Sequence, residues 1–180
     1  MNKLILLLTV FPLLLATQCE PDDQPCGKFV EMQIPELIAI ENPQQQFSVT
    51  DTLWLNATVS RSQQLENTPF DLFEFDETLS YYIEVVKESP FNSNNYIHLT
   101  QQAMVVASGE ALDNIFILTK AGDTYHSRIG IKLLEPGNYT MKVYNINSHN
   151  HYRPDCNFTS FSIATDFDGL NSNTFSFAVE

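Results

Sequence analysis

In Ser148-His149-Asn150-His151-Tyr152 two imidazoles stand at i and i+2, on one side of a strand, with Asp155 close behind. Two neutral histidines can ligate zinc or copper, but such a site needs a third and a fourth ligand that the sequence does not identify. A polar loop ahead of Cys156, both rings in water, explains the same letters and is the simpler reading. Further on, Asp166-Phe167-Asp168-Gly169-Leu170-Asn171-Ser172-Asn173 carries part of the pattern of an Asp-rich calcium loop. With Gly169 at the sharp turn, Asp166 and Asp168 become oxygen ligands, while Ala164 and Phe175 fill the first and last ligand positions. The bidentate acid is therefore missing, and a β-turn led by Asp remains open beside calcium. Asp71, Glu74, Asp76 and Glu77 form a third cluster, between two strands. Glycoside hydrolysis needs two carboxylates held about 5 to 9 Å apart. Closeness in sequence does not set that spacing, so an exposed acidic loop is the expectation.

Other chemistries lose their usual sequence support. There is no Gly-x-x-x-x-Gly-Lys-Ser/Thr loop, no Gly-x-Gly-x-x-Gly, no His-Glu-x-x-His, no Gly-x-Ser-x-Gly and no Cys-x-x-Cys. The 180 residues carry 9 Lys and Arg against 22 Asp and Glu, a net charge of −13. No two basic residues are adjacent. Phosphate backbones require clustered cations, so a nucleic-acid partner is excluded.

Residues 1–18 run from a single Lys3 through an apolar stretch, Leu4 to Leu15, to Ala16-Thr17-Gln18. This is the layout of a secretory signal peptide. As a helix the apolar stretch would span roughly 18 Å, too short for a bilayer core of about 30 Å. Cys19 follows at once, and here the chain resembles bacterial lipoproteins, whose cysteine after the apolar run is acylated and becomes the mature N-terminus. Ala16 and Gln18 depart from the usual Leu and small residue, which leaves cleavage near Ala16 without lipidation as the alternative. Glu20-Pro21-Asp22-Asp23-Gln24 is similar to the acidic export signal of surface-displayed lipoproteins of Bacteroidota (flavobacterial type). The resemblance implies a domain hung by acyl chains on Cys19 from the outer membrane, exposed at the surface. Loss of the leader removes Lys3 and no acid, so the mature chain is more acidic still.

Of three cysteines, Cys19 is assigned to the lipid, leaving Cys26 and Cys156. An oxidising compartment permits a disulfide between them. It would close a loop of about 130 residues, for which chain entropy gives about 5 kcal/mol as an upper figure. A metal pair is disfavoured, because sulfurs so far apart in sequence have no ligand spacing.

The elements that must position all these groups read as strands. Leu53, Leu55, Ala57 and Val59 alternate with polar or outward residues, as do Tyr81, Ile83 and Val85, then Ile129, Ile131 and Leu133. Tyr139, Met141 and Val143 repeat the period, and so do Phe175, Phe177 and Val179. Shorter candidates lie at 33–40, 114–119 and 158–164. Gln101 to Leu112 fits either a helical turn or an edge strand. Trp54 is read as core or sheet packing rather than a ligand platform. Seven to nine strands over residues 27–180, after a signal peptide (1–18) and a tether (19–26), predict one all-β domain, an antiparallel sandwich. Glu135-Pro136-Gly137-Asn138-Tyr139 resembles the tyrosine corner of immunoglobulin-like sandwiches, with Tyr139 as the structural tyrosine and Met141 where a cysteine often stands.

Together these features resemble the immunoglobulin-like lipoproteins of Bacteroidota. The implied function is non-enzymatic: a binding or structural accessory module that touches a protein or glycan partner at the envelope, with no cofactor beyond the calcium or zinc considered above. A metal- or small-ligand-capturing lipoprotein and a glycan-acting hydrolase are the alternatives.

Overall fold

The structure is a computed structural model that describes residues 27–65, 68–89, 95–148 and 158–180. Its first strands are β1 (Lys28–Gln33), β2 (Ile38–Ile40), β3 (Gln46–Phe47), β4 (Thr52–Ser60), β5 (Ser62–Leu65) and β6 (Thr68–Asp71). The middle of the chain forms β7 (Thr78–Lys87), β8 (Asn95–Tyr96), β9 (Met104–Ser108), β10 (Glu110–Leu112) and β11 (Ile115–Ala121). Then come β12 (Thr124–Lys132), β13 (Gly137–Val143), β14 (Ile146–Ser148), β15 (Thr159–Ala164) and β16 (Thr174–Val179). The architecture is an all-β sandwich. Of the eight strands of six residues or more, β4, β7, β11, β12, β13, β15 and β16 coincide with the predicted stretches, whereas β1 lies ahead of the candidate at 33–40, which forms only the three-residue β2. The shorter segments extend edges and hairpins and are too brief to display a period.

Alternation dictates the packing. Side chains of a strand point to opposite faces in turn. In β4 the residues Leu53, Leu55, Ala57 and Val59 are buried, and in β12 Tyr125, Ile129 and Ile131 meet them across the same face. These two strands pair antiparallel from Thr124 against Ser60 to Lys132 against Thr52. Each large aliphatic or aromatic side chain buried this way contributes about 1.5–3 kcal/mol.

β7 joins the two layers. Its buried residues Leu79, Tyr81, Ile83 and Val85 alternate without a break while its neighbours change. Thr78 to Tyr82 pairs with β11, whereas Ile83 to Lys87 pairs with β13. One layer therefore runs β1-β15-β14-β7-β11-β12-β4-β2, and the other is built from β3, β16, β13, the second half of β7, and β8. A strand that passes from one sheet to the next makes the corner of such packings. The outermost pairs β1 with β15 and β3 with β16 are parallel.

The stretch that fits both a turn and a strand is both. Gln101–Ala103 is a 3-10 turn, and β9 and β10 follow it. Between them Gly109 adopts φ +77°, and the chain changes partner there. Ser108 pairs with Arg128 of β12, whereas Glu110 pairs with Ile117 of β11.

Candidate binding site

Cys19, Cys26, His149, His151, Asp155 and Cys156 lie outside the described residues. Asp166 and Asp168 are described, and they flank Phe167, which is fully buried. The Asp166 carboxylate accepts the backbone N–H of Glu36 at 2.6 Å, where Glu36 takes a positive φ of 61°. Phe167 N–H donates to the Ser172 carbonyl and Leu170 N–H to the Phe167 carbonyl, so the segment closes as a tight turn with Asp168 exposed at its rim. Among the described residues no three His, Cys, Asp or Glu side chains gather as a metal set. Tyr139 donates its hydroxyl to the backbone carbonyl of Glu135 at 2.9 Å.

The acidic cluster is divided among separate local duties. Asp71 holds Arg61 through both carboxylate oxygens and caps the 3-10 turn Leu72–Glu74 by accepting from Phe73 N–H. Arg61, through its hydrogen bond above all, keeps the Asp71 carboxyl below its ordinary range. Asp76 is buried and accepts the N–H groups of Glu77 and Thr78. Glu77 pairs with Lys120 at 2.9 Å.

Trp54 lies on the outer face of β4, half-buried. The guanidinium carbon of Arg128 sits 4.0 Å from the centre of its ring, a cation–π contact. The same guanidinium is held at two points by Glu41, both at 2.7 Å. One step along this face, His126 Nε2 meets Asn56 Oδ1 at 3.0 Å and Nδ1 meets Ser108 Oγ at 2.9 Å. Asn56 Oδ1 can only accept, so the neutral ring carries its proton on Nε2 and accepts from the serine. This is the hydrogen-bond order of a nucleophile, a base and an orienting amide, laid on an open sheet face. Both nitrogens of the His126 ring, Nε and Nη2 of Arg128 and both Glu41 carboxylate oxygens are thereby already engaged.

A group of exposed apolar side chains lies on the outer side of β7. Tyr82 is 42 % exposed, and its ring centre lies 5.6 Å from that of Tyr144, which follows β13. Ile115 faces Tyr82 across the β11–β7 pair, and Leu112 faces Ile115 across the β10–β11 hairpin. Both are exposed, as is Tyr96, which pairs with Val86 on β7. Two charges border this apolar band. Glu84 accepts from the Tyr144 hydroxyl at 3.1 Å, and the Lys142 ammonium lies 4.8 Å from the Tyr144 ring centre. Partial burial, then the Glu84 carboxylate, raises the Tyr144 phenol above its ordinary range.

Sequence reasoning did not single out this band. The available signal was the outward phase of Tyr82 and Tyr144, large aromatic residues at positions where the strand period puts solvent. A second residue had no such signal. Asn114, in the turn between β10 and β11, points inward and is 4 % exposed. Its amide donates to the carbonyls of Ile83 and Ile97, and its oxygen accepts from Leu99 N–H. It thereby clamps the segment before the 3-10 turn Gln101–Ala103 against β7.

No protein-family model matches the sequence, and no curated protein matches it. Among solved structures, the human F-spondin reeler domain is similar at 6 % identity, with a TM-score of 0.37. The alignment covers 89 % of this chain and 99 % of that one.

Proposed function

We propose that this protein is a non-enzymatic binding module of the bacterial envelope, tethered through a lipidated Cys19 and engaging its partner with the outer face of β7. One observation carries the binding part: Leu112, Ile115, Tyr82 and Tyr144 form a continuous apolar band across neighbouring strands. Contiguous exposed apolar surface is the mark of an interaction site. Tyrosine suits such a surface, since its ring supplies contact area and its hydroxyl a hydrogen bond. The tether part rests on the leader, Cys19 and the acidic residues behind it.

The tether is tested by mass spectrometry of detergent-extracted protein, which finds acyl chains on Cys19 and loses them in Cys19→Ala. An unmodified Cys19 would overturn it. The binding face is tested by co-sedimentation with purified envelope polysaccharide and with solubilised outer-membrane protein. Retention on one of them drops at least about tenfold in Tyr82→Ala/Tyr144→Ala, the loss of two contact residues of hot-spot type. Equal retention of the double variant removes the band from the reading. The Ser108–His126–Asn56 relay offers a check on the absence of catalysis. A fluorophosphonate leaves Ser108 unlabelled, and labelling there would overturn the non-enzymatic assignment.

A further inference from the structure

Between the two layers, on the inner side of β7, lies a cleft of about 180 Å³. Leu53 and Ile131 line it from one layer, and Val85, Met141 and Phe177 from the other, all five buried. Protein interiors leave few voids larger than a water molecule, because neighbouring groups close on them. Here the segment that Asn114 clamps closes a third side. Its backbone is fixed by hydrogen bonds, Leu99 N–H to Asn114 Oδ1 and Ile97 N–H to the Val85 carbonyl. Held in this way, it is kept from settling into the space.

The lining offers a guest no charge. Tyr139 gives its hydroxyl to the Glu135 carbonyl, and the Glu135 carboxylate is paired with Lys87 at 2.8 Å. Lys132 follows the buried Ile131 on β12, so its side chain leaves the sheet on the outer face, away from the cleft. Among the described residues the lining holds no buried polar side-chain atom without a hydrogen-bond partner. An ionised or strongly polar guest would therefore lose its water and gain nothing in exchange. A cavity of about 150 Å³ lined by aliphatic and aromatic carbon stays dry and takes up benzene. We propose that the cleft binds a small uncharged apolar molecule, a single hydrocarbon ring or its short alkyl derivative. The guest supplies the contacts that the two layers do not make with each other there. The tyrosine band lies on the opposite side of β7, and neither site depends on the other.

The test is calorimetric titration of the full chain with toluene and with benzoate, the same ring carrying a charge in place of the methyl group. Toluene saturates one site, and benzoate binds at least about tenfold more weakly, because its carboxylate would shed water without finding a partner. In NMR spectra, intermolecular NOEs connect the toluene ring to the methyl groups of Val85, Ile131 and Met141. Val85→Phe carries a ring of its own into the cleft, and toluene affinity falls at least about tenfold. Should that variant not fold, the NOEs alone locate the site. Absence of saturable toluene binding overturns the site. Benzoate binding within about tenfold of toluene overturns the uncharged class. NOEs confined to other methyl groups, or undiminished binding to a folded Val85→Phe, overturn the location.

Discussion

Asn114 Oδ1 accepts the backbone N–H of Leu99 at 3.0 Å, and the same amide donates to Ile83 O at 2.8 Å and to Ile97 O at 3.2 Å. One side chain thus joins the β10–β11 turn, β7 and the segment ahead of β9. Leaving a buried backbone group unpaired costs about 1–3 kcal/mol. Asn114→Ala is expected to lower the unfolding free energy by about 2–4 kcal/mol in urea titrations. The amide of Leu99 then exchanges with deuterium markedly faster. Asn114→Asp is expected to cost at least as much, because a carboxylate oxygen would then face the Ile83 and Ile97 carbonyls in a buried position. An Asn114→Ala protein as stable as the native chain would show that the clamp contributes nothing.

Two glycines with similar backbone angles should respond very differently to a methyl group. Gly109 has φ +77°, and a Cβ there would clash with the Ile117 carbonyl oxygen and lie 2.7 Å from Ser127 Cβ. Gly122 has φ +62° with nothing within 4 Å. Left-handed backbone alone costs an L-residue about 1–2 kcal/mol. Gly122→Ala should lose about 1 kcal/mol, and Gly109→Ala more than about 2 kcal/mol, since backbone must move as well. Thermal and urea midpoints of the two variants, measured side by side, check the ranking.

The ion pair on the outer sheet face makes a pH prediction. Arg128 lowers the Glu41 carboxyl below its ordinary value of 4.5, chiefly through their hydrogen bonds, with partial burial opposing. A carboxyl held lower in the folded than in the unfolded chain stabilises the fold above its unfolded pKa. That contribution is lost as the pH falls through its folded pKa. Glu41→Gln should therefore be less stable than the native chain near neutrality, and the gap should close as the pH drops below 4.5. Asp71 and Glu135 are lowered by their own cationic partners and remain in both proteins, so the difference between the two curves isolates Glu41. A gap that stays constant with pH would contradict the assignment.

How far the fold could be read in advance depends on which residues carry the signal. Period-2 patterns in β4, β7, β12, β13 and β16 are legible because one face of each strand is buried. Leu53, Tyr81, Ile131, Met141 and Phe177 all lie where that pattern puts them. The bend of β7 from one layer to the other leaves no mark, since Leu79 to Val85 alternate straight through it. Neither does the proximity of Glu41 to Arg128, or of Ser108 to His126, because strand register decides both. Asp71 and Asp76 are legible as acids but not as a cap and a buried acceptor. Gly109 reads as a turn residue, yet only the register on either side explains why the chain changes partner there.

The parallel pairing of β1 with β15 bears on the cysteines. Lys28 pairs with Thr159, and Lys28 N–H donates to the Phe158 carbonyl at 2.9 Å. Parallel strands enter a sheet from the same end. In the sequence Cys26 stands two residues before Lys28, and Cys156 three residues before Thr159. Peptide mapping under non-reducing conditions should recover a Cys26–Cys156 cross-link. Cys26→Ser/Cys156→Ser should lose up to about 5 kcal/mol, the chain-entropy figure for a loop of this length. Reduction of the native chain should lower its midpoint to that of the double variant. The single variants would then each release one free thiol, and a native chain with both thiols titratable before unfolding would refute the bridge.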